Sequence, residues 1–230
     1  MAVWTIAADE ATGGGRGAAD LASAAEVPLL DRRTLALLAH DLQPELLDLD
    51  QLERIDEHLG GRLASFGLSM AAASVPGCAE ALREFELRKT LPSLGRAVVG
   101  EAARRPCVIL ASAAFAALPS SSAAVHVRLR APFEYRIAAY QREHLVDRHA
   151  AERALRHSDQ HTRAWVKALY HVDIDDERRF SLVIDTSRFS ADRLVDVLLA
   201  AGGSRARRPA VIEPEAHTAR AIDAPPLRLT

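Results

Sequence analysis

The chain has little cysteine, few aromatic residues and no large excess of either charge. Only 2 of its 230 residues are cysteine, and 5% are aromatic. Cys78 and Cys107 are too few for a disulfide framework or a cysteine metal site, and both lie in apolar stretches, which favours buried thiols and a reducing compartment. The 29 basic and 31 acidic residues give a net charge of -2, which does not indicate a nucleic-acid-binding surface.

Long apolar runs are also missing. No segment approaches the ~20 apolar residues of a membrane span, and the first ten residues lack a basic region followed by an apolar run. We therefore expect a cytoplasmic protein without a membrane partner. A hydrophobic content of 49% suits one main domain, predicted here as residues 1–202, followed by a mobile Pro/Arg/Ala-rich tail at 203–230.

The first motif is a strand, a glycine-rich turn and a helix. The apolar residues 3–7 (VWTIA) precede ATGGGRG at 11–17, and small helix-forming residues follow to Ala25. Glycines before a helix N-terminus let unpaired amides approach an anion, as in phosphate-binding loops. The pattern GxxxxGK[ST] is not met because the turn has no lysine, so a plain flexible turn is the alternative interpretation.

The remaining segments alternate between short apolar runs and helical patterns. Alternation of this kind predicts an α/β fold with a parallel sheet. A charged stretch without glycine or proline covers 146–170. Further strands are predicted at 27–30, 107–110, 125–129 and 182–184, and helices at 46–63, 78–91, 92–104, 132–143 and 194–199.

Four segments, in this order, carry a family resemblance: ATGGGRGA, LASAAEVPLLDRRTLALLA, HVRLRAPFEYRIAAYQRE and SLVIDTSRF. APFEYRI and LVIDTSRF are the most specific. Over most of residues 3–200 the chain resembles the cytidylate-kinase-like family of nucleoside monophosphate kinases. The resemblance implies a P-loop three-layer αβα sandwich with a parallel sheet and a helical lid-like region at about 144–172.

The resemblance also implies phosphoryl transfer from ATP, with Mg²⁺, to a nucleoside monophosphate such as CMP. Such catalysis depends on positioning and on cations that stabilise the transferred group. We expect nucleotides as partners and a monomer or weak dimer. The implied phosphate contacts are Arg16, Arg136, Arg142 and Arg163; the implied cofactor loop is Thr12, Gly13, Gly14, Gly15, Arg16 and Gly17; and the implied substrate contacts are Asp31, Arg32 and Asp159.

Three departures from the family pattern each remove or move a cation. Gly14 stands where a standard phosphate loop has lysine, and Gly15 stands where relatives have their loop arginine. The glycine-arginine-glycine turn of the family is Ala-Ser-Ala at 111–113, and the lid arginine, Arg163, is displaced by one residue. The second hypothesis is therefore a catalytically inactive nucleotide-binding or protein-interaction scaffold of the same fold, with the charged helix as its partner surface.

Two further groups of residues are weaker candidates for a site. His157 and His161 share a helix face, but HSDQH lacks the glutamate of HExxH, so we predict no metal site. Asp9, at the start of the turn, is an additional candidate for a substrate or Mg²⁺ contact, with a structural cap as its alternative role.

Overall fold

The structure, a computed structural model, describes residues 2–43, 78–118 and 123–203, with the backbone alone at 78–89. Strands and helices alternate through most of this region. The strands are β1 (Val3–Ala8), β2 (Leu29–Leu30), β3 (Cys107–Leu110), β4 (Val125–Arg130) and β5 (Leu182–Asp185). The helices are α1 (Gly14–Ala25), α2 (Arg32–Leu42), α3 (Cys78–Ala102), α4 (Ala114–Ala117), α5 (Phe133–His144), α6 (Arg148–Tyr170) and α7 (Ala191–Ala201), with 3₁₀ turns at Glu177–Arg179 and Thr186–Arg188.

The five strands form one parallel sheet in the order β2-β3-β1-β4-β5. In the central strand β1, residues 4–7 are all buried, as expected for a strand covered by helices on both faces. β1 continues through α1 to β2 on one side, whereas β4 continues through α5 and α6 to β5 on the other. The carboxyl ends of β1 and β4 therefore flank a topological switch point, where open α/β sheets form their ligand crevice.

Separate apolar clusters fill the two faces of the sheet. Trp4 and Ile6 of β1 pack with Leu21 of α1 and Leu198 of α7 on one face, where the Trp4 Nε1–H donates to the Leu198 carbonyl over 2.9 Å. On the other face, Ala7 packs beneath α4 and α6. The predicted three-layer αβα sandwich with a parallel sheet is confirmed, and residues 148–170 of the predicted lid-like region form α6.

One predicted break is absent from the structure. The sequence predicts two helices meeting at Pro92, whereas α3 runs through this residue as one helix. The predicted helix at 46–63 lies outside the described residues, as does all but the first residue of the predicted tail at 203–230.

Candidate functional site

The turn after β1 wraps tightly before α1 begins. The Asp9 N–H donates to the Leu129 carbonyl over 3.0 Å, and the Thr12 hydroxyl donates to the Asp9 carbonyl over 2.7 Å. Ala11 and Gly13 have positive φ angles of 60° and 74°. Gly13 is the N-cap of α1 and offers no capping side chain, so the first-turn amides face the space above the turn.

Gly14 and Arg16 have very different surroundings within this turn. Gly14 is buried, and a Cβ at this position would collide with the Cβ of Ala8. A lysine side chain therefore does not fit at position 14 on this backbone. The Arg16 side chain is 85% exposed, and its Nε lies 3.8 Å from Asp20 Oδ2 one turn along α1. The loop arginine thus extends along the helix surface.

Arg136 connects the turn to α6 through hydrogen bonds. Its side chain is 4% exposed. The Nε–H donates to the Glu10 carbonyl over 2.7 Å, while Nη1 and Nη2 donate to the two carboxylate oxygens of Asp159 over 2.9 and 2.6 Å. Two of the residues predicted from the sequence, Arg136 and Asp159, therefore form one buried bidentate pair beside the turn.

A second buried arginine, Arg128 of β4, lies beneath Asp9. Arg128 Nη2 donates to Asp9 Oδ1 over 2.6 Å and lies 3.6 Å from Asp175 Oδ1. Arg163 of α6 donates through Nε to the other Asp175 oxygen over 2.6 Å. Arg128, Arg136 and Arg163 thus meet Asp9, Asp159 and Asp175 in one group, called here the arginine-aspartate network, at the carboxyl ends of β1 and β4.

Charge balance in this network is reflected in the pKa of Asp175. Burial alone would raise this pKa, but the hydrogen bond and charge of Arg163, with the charges of Arg128 and Arg130, outweigh burial and hold it below 3.8. Since three guanidinium groups face three carboxylates, the network is neutral as a whole.

The other sequence-predicted residues lie outside this network. Asp31 caps α2, and the Thr34 amide that donates to its carboxylate over 2.9 Å lowers its pKa. Arg32 is the first residue of α2. The pKa of His161 is lowered mainly by burial, then by the charge of His157, and then by the charge of Arg32. Arg142 is exposed and donates to the Ala138 carbonyl within α5.

Sequence reasoning missed Arg128 and Asp175. Arg128 belongs to the alternating run VHVRL, a pattern that predicts a strand without singling out one side chain. A charged side chain in a strand next to β1 could have indicated Arg128, but that signal can be recognised only once the order of the strands is known. Within the part of the chain that the structure describes, no group of three or more His, Cys, Asp or Glu side chains could hold a metal ion, and no helix is long and apolar enough to cross a membrane.

Comparisons with known proteins identify the family. The family model described as the cytidylate kinase-like family matches residues 3–188, which include the turn, the arginine-aspartate network and all five described strands. The chain belongs to the cytidylate kinase-like family. Membership supports a kinase-like nucleotide-binding protein and confirms the resemblance drawn from the four sequence segments.

Solved structures share the architecture of this cytidylate kinase-like chain at low identity. An uncharacterised protein from Eubacterium ventriosum matches with a TM-score of 0.59 and 16% identity, covering 89% of this chain and 99% of the other. A gluconokinase from Sinorhizobium meliloti 1021 (TM-score 0.46, 12% identity, 88% and 91% covered) and a shikimate kinase from Bacteroides thetaiotaomicron (0.45, 10%, 86% and 96%) are also similar. No curated protein matches the chain.

Proposed function

We propose that this cytidylate kinase-like chain binds ATP over residues 12–17 and transfers its terminal phosphoryl group to a nucleoside monophosphate, with CMP as the first candidate. The bond between the γ-phosphorus and its bridging oxygen breaks, and a bond to a phosphate oxygen of the monophosphate forms. The products are ADP and a nucleoside diphosphate. Family membership and the turn at the switch point support this proposal.

The observation that carries the proposal is the placement of buried arginines directly beside an amide-lined turn. Arg136 contacts the Glu10 carbonyl of the turn, and Arg128 contacts Asp9. Phosphoryl transfer depends on positioned cations and amides that stabilise the oxygens of the transferred group. The β1-turn-α1 segment supplies the amides, and β4, α5 and α6 supply the guanidinium groups.

The same network favours a second candidate, a nucleotide-binding or interaction scaffold without turnover. Arg136 and Arg163, both predicted to contact phosphate, donate to aspartates instead. Each charge-assisted hydrogen bond contributes about 1.5–3 kcal/mol, so phosphate must compete with an internal carboxylate for each arginine. Such competition lowers either affinity or turnover.

Thermal unfolding with nucleotide and an assay of ADP release from ATP plus CMP separate these candidates. A ligand at 100 times its dissociation constant adds about 2.7 kcal/mol to the free energy of unfolding, so binding should raise Tm measurably. Binding with CMP-dependent ADP release supports the kinase. Binding without release supports the scaffold, and no Tm shift with either nucleotide contradicts nucleotide binding altogether.

A matched pair of variants locates the bound nucleotide. Gly15 and Gly100 are helical glycines whose added Cβ would meet nothing within 4 Å, so aspartate fits sterically at either position. Gly15→Asp places a negative charge beside the turn and should abolish the nucleotide-dependent Tm shift by repelling phosphate. Gly100→Asp on α3 makes the same chemical change away from the turn and should retain the shift.

A further inference from the structure

We infer that nucleotide binding at this turn does not use Mg²⁺, in contrast to the divalent cation that the family implies. The inference rests on the proposed nucleotide site and concerns how that site balances phosphate charge. In phosphate-loop proteins, Mg²⁺ is held by a hydroxyl that follows the loop lysine and by an aspartate at the end of a neighbouring strand. The residues that the structure describes do not fit either ligand position.

The first missing ligand is the hydroxyl. Because Gly14 stands at the lysine position, the next residues are Gly15 and Arg16, which have no side-chain oxygen. The nearby hydroxyl of Thr12 is buried and donates to the Asp9 carbonyl over 2.7 Å. Because Thr12 is only 5% exposed, its hydroxyl oxygen is closed off from an ion in the space above the turn.

The second missing ligand is the strand-end carboxylate. β3, which lies beside β1 in the sheet, ends at Leu110 and continues as Ala111-Ser112-Ala113. Magnesium prefers oxygen ligands in near-octahedral geometry and is usually bound through one or two carboxylates plus phosphate oxygens. The strand next to the turn therefore contributes no carboxylate at its end.

Two of the carboxylates beside the turn, those of Asp9 and Asp159, are engaged by arginine. Asp9 Oδ1 accepts from Arg128, and Asp9 Oδ2 lies 3.9 Å from Arg136 Nη1. Both oxygens of Asp159 accept from Arg136. Arg128 and Arg136 are each 4% exposed, so neither guanidinium can swing into solvent to make room for a second cation.

Isothermal titration of the full chain with ATP, once in EDTA and once in excess Mg²⁺, tests this inference. We expect affinity in EDTA to equal or exceed that in Mg²⁺, because the metal-free triphosphate carries more negative charge toward the amides and arginines. An affinity at least tenfold tighter in Mg²⁺ would overturn the inference and leave the proposed function standing. Binding in neither buffer would instead overturn the proposed function, and this inference with it.

A second measurement ties the result to the turn. Gly15→Asp should lose ATP binding in both buffers, whereas Gly100→Asp should bind as the unmodified chain does. Unchanged binding by Gly15→Asp would place ATP elsewhere and overturn the inference.

Discussion

Gly14 and Gly15 are neighbours in the turn with opposite surroundings. A Cβ at position 14 would collide with the Ala8 Cβ, whereas one at position 15 would meet nothing within 4 Å. We expect Gly14→Ala to lower the free energy of unfolding by about 1–3 kcal/mol, as overpacking does. Gly15→Ala should raise it by about 0.4–1 kcal/mol because alanine restricts the unfolded chain.

Urea unfolding of the two variants without nucleotide measures both effects. Because the variants differ only in position, the comparison isolates the contact with Ala8 from the general effect of replacing glycine. Equal stability of Gly14→Ala and Gly15→Ala would contradict the close approach of α1 to β1 at this point.

Single residues also show where prediction from the sequence ends. Arg136 and Asp159 were identified because they match family motifs, yet their pairing with each other follows from the packing of α5 on α6. Arg128 lies in a family segment but outside its most specific part, APFEYRI, and Asp175 lies in none of the four segments; only the adjacency of β4 to β1 brings Arg128 beneath Asp9. Contacts between residues more than a hundred positions apart depend on strand order, which periodicity does not encode.

Among the elements, α5 and α6 are joined by a buried bidentate ion pair and by an exposed ion pair. Asp159 is 16% exposed and pairs with buried Arg136, whereas Glu134 is 71% exposed and accepts at both oxygens from Arg148 Nη2. Asp159→Asn should lower the free energy of unfolding by about 3 kcal/mol, because it removes the carboxylate that is hydrogen-bonded to the buried Arg136 and leaves only Asp9 Oδ2, at 3.9 Å from Nη1. Chemical denaturation measures the loss.

Glu134→Gln is the matched control, since it makes the same carboxylate-to-amide change in an exposed pair between the same two helices. We expect no measurable loss of stability there because solvent screens exposed pairs. Equal losses in the two variants would show that burial of Arg136 does not decide the contribution of its pair.

How well the sequence predicted each helix and strand depended on the strength of its local signals. Alternating apolar runs and helical periods predicted the described strands and the long α6, and Asp31 was correctly placed at a strand end. Pro92 predicted a break that α3 does not have. Proline disfavours a helix interior through a lost hydrogen bond and a clash with the preceding turn, but tertiary packing can outweigh this local preference.

At the scale of the whole molecule, ionisable groups predict a stability maximum on the alkaline side of neutrality. Burial lowers the pKa of His126 below 6.5, and burial with the charges of His157 and Arg32 does the same for His161. Burial raises the pKa of Cys107 from 9.0 to about 11. Below pH 6.5 the unfolded chain binds protons that the buried histidines of the folded chain do not bind, so stability falls as the pH falls. Above pH 9 the unfolded chain loses the Cys107 proton that the folded chain keeps, so stability falls as the pH rises.

The acid side of this profile can be assigned by replacing the two histidines. In the unmodified chain, the free energy of unfolding should decline as the pH falls below 6.5 and decline more steeply below 3.8, where Asp31 and Asp175 lose the charges that their partners stabilise. The double variant His126→Gln, His161→Gln should keep the second decline and lose the first, since glutamine does not titrate. His149→Gln, at an exposed position of α6, should retain both declines. Urea unfolding across the pH range measures these profiles. If the double variant has the same profile as the unmodified chain, groups other than these two histidines cause the loss of stability near pH 6.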